Sequence, residues 1–226
     1  MRKTLLATAV LAAAVATPAV HAHEAGDIIV RAGAVTVTTH ESTSGVKTSG
    51  LGNLGGKATL NNDTQLGLNF AYMVTDHIGI ELLAATPFKH DVHVKGTGID
   101  FVDGKLGSLK HLPPTLSAVY YPLDSKSAFQ PYVGAGINYT WFFDEKLTSS
   151  AKNSALAANS FKVKNSWGLA AQIGADYMLT DNLMINGQVR YIDIDTDATL
   201  NTVAGRTKVN VDVKPWVYMV GLGYKF

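Results

Sequence analysis

Along the last eleven residues, large apolar side chains fall on every second position. Trp216, Tyr218, Val220, Leu222, Tyr224 and Phe226 alternate with Val217, Met219, Gly221, Gly223 and Lys225. Strict period two over this length predicts an extended strand with one greasy face. The pattern recurs and predicts eight strands in all. Residues 27–38 set Val30, Ala32 and Ala34 against Arg31, Gly33 and Val35. Residues 64–74 set Leu66, Leu68, Phe70 and Tyr72 against Gln65, Gly67, Asn69, Ala71 and Met73. The third strand shows Ile78, Ile80 and Leu82 outward and stops at Pro87, and the fourth carries Leu116, Ala118 and Tyr120. The fifth carries Val133, Ala135, Ile137, Tyr139 and Trp141, the sixth Trp167, Leu169, Ala171, Ile173 and Tyr177, the seventh Leu183, Ile185, Val189 and Tyr191. No segment remains to cover these greasy faces, so their partner is lipid. Strands in lipid must close on themselves to satisfy every backbone group. The predicted fold is therefore all-β: an eight-stranded antiparallel transmembrane β-barrel.

The connections alternate in length. Three are short, near Asp76, Ser125 and Asp181, and four are long, at residues 40–63, 88–112, 144–162 and 195–208. Short periplasmic turns and long extracellular loops are the asymmetry expected of outer-membrane barrels, and an even strand count puts both termini in the periplasm. In that orientation Tyr72, Tyr120, Tyr132, Tyr177, Tyr224 and Phe226 fall near the periplasmic strand ends, while Trp141, Phe143, Trp167, Tyr191 and Trp216 fall near the outer ends. Two such belts match the aromatic girdles that flank the apolar band of a barrel.

Targeting agrees with this reading. Arg2 and Lys3, a short apolar run and Val20-His21-Ala22 predict a signal peptide over residues 1–22, leaving residues 23–226 as the barrel. Beyond it there is no apolar run long enough for a membrane-spanning helix. The chain has no cysteine, so no disulfide staples its loops. A formal net charge of +1 without a basic run gives no footprint for nucleic acid.

Several ordered motifs resemble the outer membrane protein W family. They are Asn62-Asp63-Thr64-Gln65-Leu66-Gly67-Leu68, Ile80-Glu81-Leu82-Leu83-Ala84-Ala85-Thr86-Pro87-Phe88, His111-Leu112-Pro113-Pro114-Thr115-Leu116, and the run from Pro131 through Gly134, Gly136 and Asn138 to Thr140. Ser166-Trp167-Gly168, Asp193-Ile194-Asp195-Thr196 and Pro215-Trp216 extend the match over essentially the whole mature chain. The resemblance implies a monomeric barrel in the outer membrane of Gram-negative bacteria, embedded in lipid and lipopolysaccharide. It also implies passage of small hydrophobic solutes through a narrow lumen with a sideways exit through the wall. Further, it implies that a terminal strand ending in Tyr224 and Phe226 is read by the barrel assembly machinery.

An eight-stranded barrel is just wide enough for side chains to fill it, so function turns on what points inward. Inward glycines, among them Gly67, Gly79, Gly134, Gly136, Gly168, Gly174, Gly221 and Gly223, either leave room for a passage or relieve crowding in the wall. Met73, Leu83, Val119, Met178, Met184 and Met219 are the apolar candidates to line a conduit or to plug the lumen. Arg31, Glu81, Asp176, Arg190 and Lys225 are the inward charges. A lone charge removed from water costs several kcal/mol, so Glu81 is expected to pair with Arg31 or Arg190. Pro87, Pro113 and Pro114 withhold backbone donors and mark where a wall opening is expected.

Other motifs carry less. Asp193, Asp195 and Asp197 lack the glycine and glutamate of a calcium loop, leaving an acidic face that suits the cations bridging lipopolysaccharide. His90-Asp91-Val92-His93 offers metal ligands without a fourth partner, so no metal is assigned. Ser166, His111 and Asp144 are spaced like no known triad, and no nucleophile elbow is present. The expectation is a non-enzymatic diffusion channel for small hydrophobic molecules, without cofactor. The alternative is a sealed structural or surface-receptor barrel whose loops bind host, phage or toxin partners.

Overall fold

The computed structural model describes residues 22–39, 41–43, 47–48, 52–53, 55, 57–96, 103–154, 157–203 and 205–226. The predicted signal peptide, apart from Ala22, lies outside them. The strands in chain order are β1 (Ile28–Thr38), the short pieces β2 (Glu41–Thr43), β3 (Lys47–Thr48), β4 (Gly52–Asn53) and β5 (Lys57–Leu60), then β6 (Asp63–Met73), β7 (Ile78–Ala85) and β8 (Phe88–Lys95). They continue with β9 (Gly104–Leu112), β10 (Thr115–Tyr120), β11 (Phe129–Leu147), β12 (Ser160–Val163), β13 (Ser166–Met178) and β14 (Leu183–Ile192). The last are β15 (Ile194–Thr202), β16 (Gly205–Val213) and β17 (Trp216–Lys225).

Eight of these, β1, β6, β7, β10, β11, β13, β14 and β17, close a ring in which each strand is antiparallel to its neighbours. First and last strands meet along Ile29↔Lys225 to Thr38↔Trp216, so the chain's end completes the wall. Closure leaves no sheet edge in lipid, which is the condition for strands to cross a bilayer. Side-chain parity follows the sequence pattern. Leu66, Phe70, Ile80, Leu116, Val133, Ile173 and Leu222 are exposed on the outer face, and Val220 is 66% exposed. The alternate residues, from Arg31 and Asn69 to Asn186 and Met219, are buried inside. Trp141, Trp167 and Trp216 stand at one end of the exposed band and Tyr72, Tyr120, Tyr177, Tyr224 and Phe226 at the other.

Two features differ from the sequence expectation, and a third decides between alternatives that the sequence left open. Tyr132 is not a girdle residue: it is buried inside the barrel, because it lies one position from the outward Val133. Much of the predicted loop sequence is strand. β8 and β9 form a hairpin, β15 and β16 another, and β11 runs on to Leu147, so the wall rises well above the outer aromatic belt. These hairpins also bury one face: Phe88, His90, Val92 and Val94 alternate inward. Histidines in that alternation blunt its hydrophobic signal. Finally, the inward glycines do not open a passage. Gly33 faces Gly221 across the closing seam, and a Cβ on either would fall on the facing backbone, at the carbonyl of Val220 or of Ala32. Space over Gly174 is taken by the Tyr132 ring and space over Gly223 by Met184 and Arg31.

The outer face predicts its own cost. Val220 lies midway between Trp216 and Tyr224 on β17. Val220→Arg should lower unfolding stability by about 2–4 kcal/mol in lipid vesicles, the cost of a cation near the bilayer midplane. Urea titration read by tryptophan fluorescence measures it, and Val220→Leu should leave the midpoint nearly unchanged.

Candidate functional site

The lumen is divided in two by a layer of buried polar groups. Arg31 enters it from β1, Asn69 from β6, Glu81 from β7, Gln172 and Asp176 from β13, and Asn186 and Arg190 from β14. Arg31 donates from Nε to Asp176 Oδ1 at 2.9 Å and from Nη2 to Oδ2 at 2.5 Å, a bidentate pair. Its Nη1 reaches Asn69 Oδ1 at 3.1 Å and Glu81 Oε2 at 3.5 Å, and its Nη2 reaches Tyr121 Oη at 2.8 Å. Arg190 Nη2 donates to Glu81 Oε1 at 2.6 Å, and Gln172 bridges the two, donating to Glu81 at 2.9 Å and accepting from Arg190. Asn186 joins Asp176 to Tyr132. Two guanidinium groups thus face two carboxylates. The balance of charge, with hydrogen bonds to the remaining oxygens, is what lets four ions sit fully buried.

Below this layer the periplasmic end is filled. Met73, Val119, Met178 and Met184 pack with Ile29, Tyr121 and Tyr132. The N-terminal arm folds into the same mouth: Ala22 donates its N–H to Ser125 O at 2.6 Å, and His23 reaches Asp176 Oδ2 at 3.1 Å with its ring against Tyr121. Above the layer Val35, Leu83, Phe88, Ile192, Val217 and Met219 pack together as an apolar cluster. It continues upward into a pocket lined by Val37, Leu109, Phe142, Ile194 and Val213, together with His90 and His111. The room in that pocket is about 20 Å³.

The two histidines are the polar exception in this region. His90 Nε2 and His111 Nε2 are 2.8 Å apart, with rings stacked at 4.9 Å between centroids. His90 Nδ1 lies 2.6 Å from the Asn61 carbonyl oxygen. Phe88 stacks on the far side of His111, and Phe142 packs against it. Burial first, and then the facing His90, hold the His111 imidazole far below its ordinary range, at about 3.

The wall is interrupted beside the apolar cluster. Pairing of β7 with β10 ends at Leu83↔Thr115 and resumes as β8 with β9 at Phe88↔His111. Among the described residues, 84–87 and 112–114 share no pairing across that seam. Pro87, Pro113 and Pro114 all fall within it. Each side is held to its other neighbour instead. Thr86 donates its N–H to Leu66 O, while Asn138 Nδ2 donates to the carbonyls of Pro113 and Pro114. The unpaired stretch lies beside Leu83 and Phe88, above the polar layer.

The residues singled out in sequence therefore separate by height. Of the six apolar candidates, Leu83 and Met219 belong to the upper cluster, while Met73, Val119, Met178 and Met184 pack beneath the charges. Arg31, Glu81, Asp176 and Arg190 form the layer itself, with Glu81 touching both arginines. Lys225 lies apart at the periplasmic rim, 3.7 Å from Asp27. Tyr224 and Phe226 pack edge to face where β17 meets β1. Sequence reasoning missed Tyr121, Tyr132 and His23 in the layer, and missed the His90–His111 pair. Parity alone would have turned Tyr132 inward; pairing His90 with His111 needs the hairpin register. His90 and His93 lie on opposite faces of β8, so they cannot share a metal, and among the described residues no group of three metal-ligating side chains converges. Ser166 bonds Asp195 O and Asp144 pairs with Lys110 and Lys146, both away from His111.

A closed lipid-facing barrel of this kind is shared with known proteins. The sequence profile of the OmpW family matches residues 24–226. The chain belongs to the OmpW family. It is 44% identical over 226 residues to outer membrane protein W of Vibrio cholerae, covering 100% of both chains. It is 33% identical over 184 residues to outer membrane protein AlkL of Ectopseudomonas oleovorans, covering 77% of this chain and 74% of the other. The crystal structure of outer membrane protein OprG from Pseudomonas aeruginosa superposes with a TM-score of 0.85 at 51% identity, covering 92% of this chain and 99% of that one. This OmpW-family barrel accordingly sits in the outer membrane of Gram-negative bacteria.

Two outcomes follow from the buried groups. Glu81→Ala leaves Arg190 without its carboxylate and should lower stability by about 3–5 kcal/mol, whereas Glu81→Leu with Arg190→Met should regain most of it. Urea unfolding in vesicles measures both. The acid response comes from His111. Unfolded, it gains a proton below 6.5; folded, it resists until about 3. Its contribution is full above pH 6.5 and falls as the pH drops from 6.5 toward 3. Thermal scans across that window should lose less stability in His111→Phe than in the wild type.

Proposed function

We propose that this barrel conducts small, mostly apolar molecules from the cell surface into the outer membrane, taking them in at the top and releasing them sideways through the proline-flanked seam. One observation carries the reading: an apolar cluster and a small pocket lie above a fully buried charge layer, with a break in wall pairing at their level. An apolar solute meets Phe142, Val213 and Leu83 on the way in, and desolvation favours it there by roughly 25 cal/mol per Å² of apolar surface removed from water. The layer of Arg31, Glu81, Asp176 and Arg190 below opposes it, because parting those ions would leave charges unpaired. The seam beside Leu83 and Phe88 then offers the lower-energy exit, into hydrocarbon. Removal of residues 1–22 as a signal peptide, solitary function as a monomer and recognition of the Tyr224–Phe226 end by the assembly machinery belong to the same proposal. The proposal includes no catalysis.

The sealed charge layer also favours a second reading, in which the barrel is closed and its tall hairpins bind partners at the surface. Uptake separates the two. Cells expressing the protein should take up a small apolar solute faster than null cells. Leu83→Arg, which places a cation in the apolar cluster beside the seam, should bring the rate down to the null level. Equal uptake with and without the protein would sink the conduit and favour the receptor. Glu81→Ala with Arg190→Ala should leave apolar uptake unchanged, since the sideways route does not cross the layer.

A further inference from the structure

Around the outer rim, ion pairs among the described residues are mostly one to one: Lys105 with Asp91, Lys162 with Glu145, Lys164 with Asp197 and Lys214 with Asp212. One sector departs from this. Lys89 on β8 stands directly opposite Lys110 on β9. Residues so placed in an antiparallel pair share a face, and like charges there repel. Both alternate with buried neighbours, Phe88 and His90 on one strand, Leu109 and His111 on the other, so both side chains point out of the barrel. Asp144 serves two lysines at once: its Oδ2 accepts from Lys110 Nζ at 2.9 Å and its Oδ1 from Lys146 Nζ at 2.9 Å. Those hydrogen bonds, from Lys110 first and then Lys146, hold its carboxyl down at about 2. No carboxylate pairs with the Lys89 ammonium among the described residues. Asp63 lies closest along the chain's fold, but it takes the backbone N–H groups of Lys89 and Thr64 and the side chain of Gln65. Even with Asp63 counted beside Asp144, the three lysines leave this sector positive.

The height of the sector fits a lipid headgroup. Lys110 lies across from Phe143, two residues beyond Trp141 on β11. At ~3.3 Å per residue that is about 7 Å above the outer tryptophan. Trp141 and Phe143 pack against each other on the same outer face. Interfacial aromatics mark the headgroup level, where lipid phosphates lie. Below the lysines the outer face is apolar: Leu82, Leu116 and Ile137 are exposed neighbours across β7, β10 and β11. We infer that Lys89, Lys110 and Lys146 form a docking site for a phosphorylated lipid of the outer leaflet, of the lipopolysaccharide class, whose acyl chains run down over Leu82, Leu116 and Ile137. A phosphate between Lys89 and Lys110 turns their repulsion into two charge-assisted contacts. A lipid held there covers the interrupted pairing of the wall, and the site stands whether or not solutes leave by that route.

The test mixes full-length protein in detergent micelles with diphosphoryl lipid A and follows retained lipid by native mass spectrometry. Physiological salt screens loose attraction, and a chelator removes divalent cations that would bridge the lipid to acidic residues. Lys89→Gln with Lys110→Gln should weaken retention about tenfold. Lys164→Gln with Lys214→Gln, in other sectors of the rim, should match the wild type. The wild type alone gives a readout that no variant's folding can disturb: lipid A stripped of its phosphates should bind about tenfold more weakly than its parent. Equal retention by the wild type and the Lys89/Lys110 variant, an equal loss in the Lys164/Lys214 variant, or indifference to the lipid's phosphates would each overturn the inference. Displacement of the lipid by inorganic phosphate would overturn it as well, by making the site one for a free anion.

Discussion

The structure turns on four ions that have no access to water. Arg31 and Asp176, Arg190 and Glu81 are held at the centre of a barrel whose outer surface is hydrocarbon, so any one of them alone would carry an uncompensated charge. Their mutual satisfaction fixes the rest. It ties β1, β7, β13 and β14 across the lumen, locks Tyr121 and Tyr132 inward, and separates a filled periplasmic end from an apolar upper cluster. Neutral side chains could fill the same volume, yet they would not resist a greasy solute. On the proposed function the layer is the conduit's floor, because ions and their hydrogen bonds cannot yield to an apolar molecule without exposing a charge.

Given that floor, the interrupted ladder gains its meaning. A β-barrel in lipid cannot leave backbone groups unpaired on its wall without compensation. Here the compensation is visible: prolines remove donors at Pro87, Pro113 and Pro114, and Asn138 takes up the carbonyls of the last two. The seam is thus a built feature of the wall, tolerated by particular residues, rather than a frayed strand end. Its height relative to the charge layer matters more than its existence. Placed lower, it would connect the bilayer to a lumen already filled by methionines and tyrosines.

Much of this was legible in the chain. Period-two alternation assigned the lipid and lumen faces of all eight spanning strands, because parity in a strand is rigid once a single residue is placed. The same rigidity exposes the one aromatic misplaced in the periplasmic belt: Tyr132 follows Pro131 and precedes Val133, and only one of two adjacent residues can face lipid. The inward charges were legible as well, since ionisable residues at lumen positions need partners, although sequence could not say that Glu81 serves both arginines. The tall hairpins escaped notice because His90 and His111 sit where an apolar residue would have made the alternation plain. Their pairing depends on a register, Phe88↔His111, that no local pattern encodes. Whether the glycines opened the lumen was likewise undecidable without knowing that Tyr132 and Met184 reach across it.

The height of the wall has a consequence of its own. β11 continues from Trp141, at the outer aromatic belt, to Leu147, and six residues of strand span about 20 Å at ~3.3 Å each. Above that belt the barrel therefore continues as a chimney through the zone where lipid headgroups and their sugars would lie, with the pocket beside Phe142 at its base. For a molecule that dissolves poorly among charged and hydroxylated groups, that zone is the true barrier of the outer leaflet, more than the hydrocarbon beneath. On the proposed function, such a molecule reaches the pocket at the chimney's base with strands around it in place of headgroups.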